Sequence, residues 1–345
     1  SPLVVMEAVL GSYRGNKEVV YNVCGMLSSL SAELARKIGR FNQNLLSIVD
    51  DCMDQHEEDP HTETNVVRAV ACLSEDDKCR DFFIEKNTMT LVRNLLNDFQ
   101  AELPLVHMCY KAFLRFVTVA SCVEQLVQDD CIQLSDYILH RFIEDGELVR
   151  DVCDVLVTFG GHDEWVTKMG SVGLVNRCVL MLGRHSDRRD TVLSIVRLLH
   201  VLHRPCIQKS FEGSSVVTQL VECSSKYLAD LPALQEILDV LEEMCEFDPE
   251  RNALGDVVAF LVKGMRSYSN EKPLQRVACV LLARVSENRN NWTSLLKGEG
   301  VEAVIVASNT FPEDADIQHH ALEFFSRIAA DAECRDSLRA HDGVR

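Results

Sequence analysis

Aromatic residues are scarce in this chain, at 6% of 345 residues, and so are helix breakers, with 8 prolines and 16 glycines. Strand-rich folds draw on aromatic and turn-forming residues, so the shortage leans toward helices. No apolar run approaches the ~20 residues a helix needs to cross a bilayer, and no signal peptide is present, so no membrane insertion is expected. Positive charge is short as well: 35 Lys and Arg face 53 Asp and Glu, a net charge of −18. Phosphate recognition needs a basic footprint, which makes nucleic acid or an anionic membrane surface a poor main partner. Catalytic signatures are missing too, with no Walker loop, no GxGxxG after a strand, no nucleophile elbow and no HExxH. The fourteen cysteines include no CxxC pair and sit largely within apolar runs. They read as reduced core residues of a cytoplasmic, or nuclear, protein. The sequon Asn291-Trp292-Thr293 then reads as a chance match.

What the chain has is a period. Ala278, Leu281, Leu282 and Val285 fall at i, i+3, i+4 and i+7, one face of a helix. The same apolar quartet begins at 23, 66, 109, 152, 195, 237, 278 and 321, in steps of 41 to 43 residues. Any amphipathic helix supplies one quartet; the regular spacing is what carries weight. A helical period of 40 to 47 residues marks the armadillo and HEAT repeats. Between quartets the order is a short helix, a glycine turn, a medium helix, a polar loop and the long quartet helix. The turn is clearest at Gly298-Glu299-Gly300-Val301 and at Gly170 to Gly173, with Asn87, Asp130 and Asn42 standing near the glycine position elsewhere. Glycine there permits a sharp break with positive φ.

That order, the Gly-x-Gly-Val turn and the ending from Ala321 through Arg327-Ile328-Ala329 resemble the armadillo family over essentially the whole chain, with HEAT repeats as the alternative. The resemblance implies an all-α fold: a right-handed α-solenoid of about eight armadillo-like repeats forming a single domain over residues 1–345. Residues Ser1 to Leu10 look like a medium helix without its preceding short helix, and the chain stops at Gly343-Val344-Arg345 where another would begin. A fragment of a longer protein, or a chain whose caps a partner supplies, is therefore expected, with end-to-end self-association where the end faces stay uncapped. The resemblance also implies a non-enzymatic interaction scaffold or adaptor that binds a polypeptide along its concave surface. The alternative is a regulatory or targeting region of an enzyme whose catalytic domain lies outside this chain.

In armadillo proteins that hold extended peptides, the long helix presents a tryptophan two residues after the quartet's first member and an asparagine six after it. Neither residue occurs at any of those positions in this chain, which speaks against a nuclear-import receptor. Charge stands there instead: Arg68, Lys111, Arg115, Arg197, Arg284 and Arg327, against Asp154, Asp239, Glu243 and Glu323. The expected partner is another protein, met through an acidic or mixed-charge segment, with Arg68, Lys111 and Arg115 the most basic patch. The competing reading is that these side chains solvate a helix face or pair with neighbouring repeats. No metal or cofactor is expected. His200, His203 and Cys206 recur at three-residue steps, but Pro205 breaks the helix before Cys206; His319 and His320 adjoin and should face different ways. The acidic stretch Asp50 to Asp59, with His56 and His61 in or beside it, reads as a solvated loop ending at Pro60.

Overall fold

The computed structural model describes residues 2–29, 43–56, 58–211, 215–245, 255–297, 299–330 and 335. Among these, every regular element is helical. They divide into two compact units, Ser1–Leu174 and Val175–Arg345. The architecture is an all-α helical-repeat solenoid.

In the first unit the described quartet residues lie on four long helices, Lys17–Leu27, Pro60–Leu73, Leu103–Phe116 and Gly146–Val157, except Phe159, which follows in the 3-10 turn Thr158–Gly161; each long helix packs against the next in sequence order. The second unit repeats the arrangement with Arg189–Leu202, Leu231–Cys245, Lys272–Val285 and Ala315–Ile328. Medium helices alternate with them: Pro2–Tyr13, Gln43–Gln55, Thr88–Asp98 and Cys131–Arg141, then Leu174–His185, Val216–Ser224, Gly255–Ser267 and Gly300–Thr310. Short helices such as Asp77–Glu85, Ala120–Gln128 and Trp292–Lys297 lead into several of them. Within a unit, the core is the seam between successive long helices. Cys109, Ala112, Phe113 and Phe116 are fully buried, as are Val66, Ala69, Val70 and Leu73, and Ile195, Leu198, Leu199 and Leu202. Each large side chain so buried contributes roughly 1.5–3 kcal/mol before entropy is counted. The pattern departs from expectation at two places: Met26 is 48% exposed, and Phe325 is half-buried. Leu30 lies outside the described residues.

The turn between short and medium helices has the expected backbone, and among the described residues only Glu299 stands where a glycine was expected. Gly173 has φ +87°, as a glycine turn requires. At the matching places Asn87 (φ 62°), Asp130 (58°) and Glu299 (60°) adopt the left-handed region instead. Asn and Asp tolerate it through local hydrogen bonding, and Asn87 Oδ1 does accept from Thr90 Oγ1 at 2.9 Å. Gly300 serves another purpose. It begins a helix, and a Cβ on it would sit 3.2 Å from the Leu295 carbonyl oxygen. Asn42 lies outside the described residues.

The acidic stretch is not a loop. Asp50 to Gln55 belong to the helix Gln43–Gln55, and Asp50 accepts a hydrogen bond from Thr88 Oγ1 at 2.5 Å; burial pushes its carboxyl above the usual range. His56 is buried, with Nε2 donating to the Arg14 carbonyl at 2.8 Å. His61 stacks on Tyr21, ring centres 4.5 Å apart. Pro60 opens the next long helix at its first turn, where its missing N–H costs nothing. Of the twelve cysteines whose side chains are described, ten are buried and none is in a disulfide; Cys206 alone among them is exposed. Asn291 of the sequon is 3% exposed and donates to the Val285 carbonyl at 3.0 Å, so in this fold its amide nitrogen is out of reach.

Candidate partner-binding surface

The long helices begin at carboxylates that do two jobs. Asp145, Asp230 and Asp314 cap their own helices by accepting from the backbone N–H of Leu148 (3.0 Å), Ala233 (3.2 Å) and Ile317 (3.1 Å), which satisfies donors that the helix leaves open. Each also receives a side chain from the preceding long helix: His107 Nε2 at 3.0 Å to Asp145, Arg189 to Asp230, and Lys272 Nζ at 2.8 Å to Asp314. Lys17 reaches Asp59 in the same manner at 3.4 Å. Neighbouring repeats are thereby pinned at their helix starts as well as along their apolar seams.

Further along the same helices stand the six cationic residues. In the first unit, Arg68, Lys111 and Arg115 come together. Lys111 Nζ is 2.8 Å from Glu147 Oε1, and Arg115 Nη2 is 2.6 Å from Glu75 Oε1. Arg68 Nη1 donates to Asn65 Oδ1 at 2.7 Å and its Nε lies 3.4 Å from Met108 Sδ. Asn65 in turn donates to the Tyr21 carbonyl at 2.9 Å, so this one arginine is braced across three successive long helices. Arg68 meets no carboxylate among the described residues. At the centre lies Cys72: desolvation and the Glu75 charge raise its thiol, while the fields of Arg115, Arg68 and Lys111 all act to lower it. Three cations from two adjacent long helices thus act on one thiol.

In the second unit Arg197 forks onto Glu236, at 2.5 Å to Oε1 and 3.2 Å to Oε2. Arg327 donates to the Ala283 carbonyl at 2.8 Å and pairs with Glu287 at 3.0 Å. Arg284 is half-buried in the last turn of Lys272–Val285. Lys111, Arg115, Arg197 and Arg327 are therefore each engaged by a carboxylate of an adjacent repeat. Among the acidic positions, Glu243 accepts from His200 Nδ1 at 2.7 Å, and burial raises the Asp239 carboxyl.

The histidines divide differently from expectation. His203 packs edge-on to Phe211, and Cys206 is exposed beyond the helix end. His319 and His320 do not turn apart: their rings lie 5.0 Å from each other, and both reach Glu323, at 4.0 and 3.1 Å. One further cluster was not marked by the sequence pattern: His107, Glu147 and Asp151 each bring a potential ligand atom within 4.8 Å of the others. Its signal was partial, since Glu147 and Asp151 stand at i, i+4 on one helix while His107 comes from the helix before it.

The fold is an armadillo-like helical repeat. A solved structure from work on a phosphorylation switch controlling the interaction between cadherin and beta-catenin aligns with 98% of this chain at a TM-score of 0.79 and 15% identity. This chain spans 63% of that one. An engineered protein aligns over 98% of this chain and 91% of its own length, with a TM-score of 0.66 and 15% identity. At such identities the likeness is one of fold. No family model matches the chain, and no curated protein sequence matches it. No described helix is long and apolar enough to cross a membrane.

Proposed function

We propose that this chain is a protein–protein interaction scaffold that captures an acidic or mixed-charge segment of another polypeptide on its long-helix face. Arg68, Lys111 and Arg115 form the main contact; Arg197, Arg284 and Arg327 extend the same chemistry in the second unit. The observation that carries this is the placement of Lys111 and Arg115 one turn apart on Leu103–Phe116, with Arg68 reaching that same helix at Met108, on a chain of net charge −18. Local concentration of the minority charge favours a partner of opposite sign. The ion pairs to Glu75 and Glu147 do not close the surface. Their side chains are roughly half exposed, and such pairs are worth about 0–1 kcal/mol, so incoming carboxylates exchange with them at little cost. Arg68, braced in place without a carboxylate, offers its guanidinium ready oriented. The fold neighbour comes from work on a partner interaction governed by phosphorylation, and phosphate adds the negative charge this patch would read. Buried thiols without disulfides suit a reducing compartment, the cytoplasm or nucleus.

The test is fluorescence anisotropy with a labelled glutamate-rich peptide, titrated with wild type and with the triple reversal Arg68→Glu, Lys111→Glu, Arg115→Glu. Wild type should bind with an affinity that falls as salt rises, and the triple variant should lose at least about tenfold, roughly 1.4 kcal/mol. Equal binding by both proteins would remove the patch from the function.

A further inference from the structure

The cluster of His107, Glu147 and Asp151 holds an anomaly that the ion-pair network does not explain. Asp151 is 2% exposed. Its Oδ1 accepts from Arg150 Nε at 3.0 Å and from Nη2 at 2.8 Å, yet its Oδ2 is buried with no hydrogen-bond partner. A carboxylate oxygen left bare inside a protein is costly, and a bound ion is one of the few things that relieves it. The surroundings fit an ion. Glu147 and Asp151 lie one turn apart on Gly146–Val157, and His107 faces them from Leu103–Phe116. One ligand atom from each lies within 4.8 Å of the other two, so a small rotation of the exposed Glu147 side chain brings all three to the bond lengths of a single first-row ion.

We propose that His107, Glu147 and Asp151 form a binding site for a borderline divalent metal ion, of the zinc or cobalt class, that ties these two repeats together. The His107 ring is prepared for this. Its Nε2 lies 3.0 Å from Asp145 Oδ2; in the neutral tautomer that donates from Nε2 to this carboxylate, Nδ1 carries the lone pair, the carboxylate–histidine pairing that orients metal-binding imidazoles. Asp145 is itself held by the Leu148 N–H. One imidazole and two carboxylates suit a small first-row ion better than calcium, which takes six to eight oxygens. Lys111 Nζ now sits on Glu147 Oε1, and its exposed side chain gives way when the ion enters. The site borders the peptide-capture patch through the Lys111–Glu147 pair, but its test needs no partner.

Tag-free, chelator-stripped protein is titrated with Co²⁺, followed by visible absorption and by calorimetry. Wild type should take up one equivalent at micromolar free metal, and Zn²⁺ should displace it and raise the melting temperature. Asp151→Asn, His107→Gln and Glu147→Gln should each weaken uptake by about tenfold or more. Glu147 is exposed, so its variant tests the site even if a change at Asp151 disturbs folding, which circular dichroism will show. Cys206→Ser and the pair His319→Gln, His320→Gln should leave uptake unchanged. No uptake by wild type, or uptake that survives the first three changes and disappears with either control, overturns the proposal.

Discussion

Glu299 offers a clean measurement of what the repeat's turn demands of its residue. It holds φ 60° at the break before Gly300–Thr310, where only glycine is free of penalty. An L-residue in the left-handed region costs about 1–2 kcal/mol. Replacing it by glycine recovers that, less about 0.4–1 kcal/mol for the greater freedom of the unfolded chain. The side chain also pairs with Arg266, and because both are more than half exposed the loss of that pair is worth at most about 1 kcal/mol. Glu299→Ala loses the pair and keeps the strain; Glu299→Gly loses the pair and sheds the strain. The glycine variant should therefore exceed the alanine variant by about 0.5–1 kcal/mol, read from urea midpoints at unchanged slope. Gly173→Ala, at φ +87° with open space around its Cβ position, should cost a similar amount for the same reason. Equal stability of Glu299→Gly and Glu299→Ala would refute the claim that backbone conformation sets the residue preference at this turn.

Two more outcomes follow from burial and charge. Phe116→Ala, at a fully buried quartet position, should cost roughly 3–5 kcal/mol. Met26→Ala, at a quartet position that is 48% exposed, should stay within about 0.5 kcal/mol in the same denaturation assay. On acidification, the helix-start carboxylates should release their hold. In Asp59 and Asp145 desolvation acts to raise the carboxyl, but hydrogen bonds from Thr62 and the Leu148 N–H, with the Lys17 and His107 charges, outweigh it; in Asp230 and Asp314 the bonds from Arg189 and Lys272 lead. All four lie below the ordinary value, so their contribution is complete above about pH 4 and is lost as pH falls through the lowered values. The urea midpoint should drop between about pH 4 and 2 and drop less in Asp145→Asn, measured by circular dichroism; an unchanged pH slope in that variant would discount the pairing.

Much of the architecture was legible in advance because helix packing obeys a local rule. A stripe such as Val66, Ala69, Val70 and Leu73 must find an apolar partner, and a period near 43 residues supplies one in the next copy. The misses have local causes as well. The stretch from Asp50 looked like a loop because it is acidic, but Leu46, Val49, Cys52 and Met53 give it a buried helical face. The turn position looked like a glycine position because glycine is its least strained occupant, although Asn, Asp and Glu hold it too.

What the amino-acid order determined by itself is the helix pattern, the apolar seams and the presence of six cations at repeating positions on the long helices. What only the tertiary structure decided is where those charges go. Lys111 meets Glu147, Arg115 meets Glu75 and Arg197 meets Glu236 across 36 to 40 residues of chain, while Arg68 is braced by an amide and a thioether. The physical reason is reach: a helical stripe is fixed by residues three and four apart, whereas a salt bridge between repeats depends on the register in which two helices dock. The lengths of the intervening turns shift that register by a residue or two. The bare oxygen of Asp151 belongs to the same category, because only packing could bury it beside His107 and Glu147.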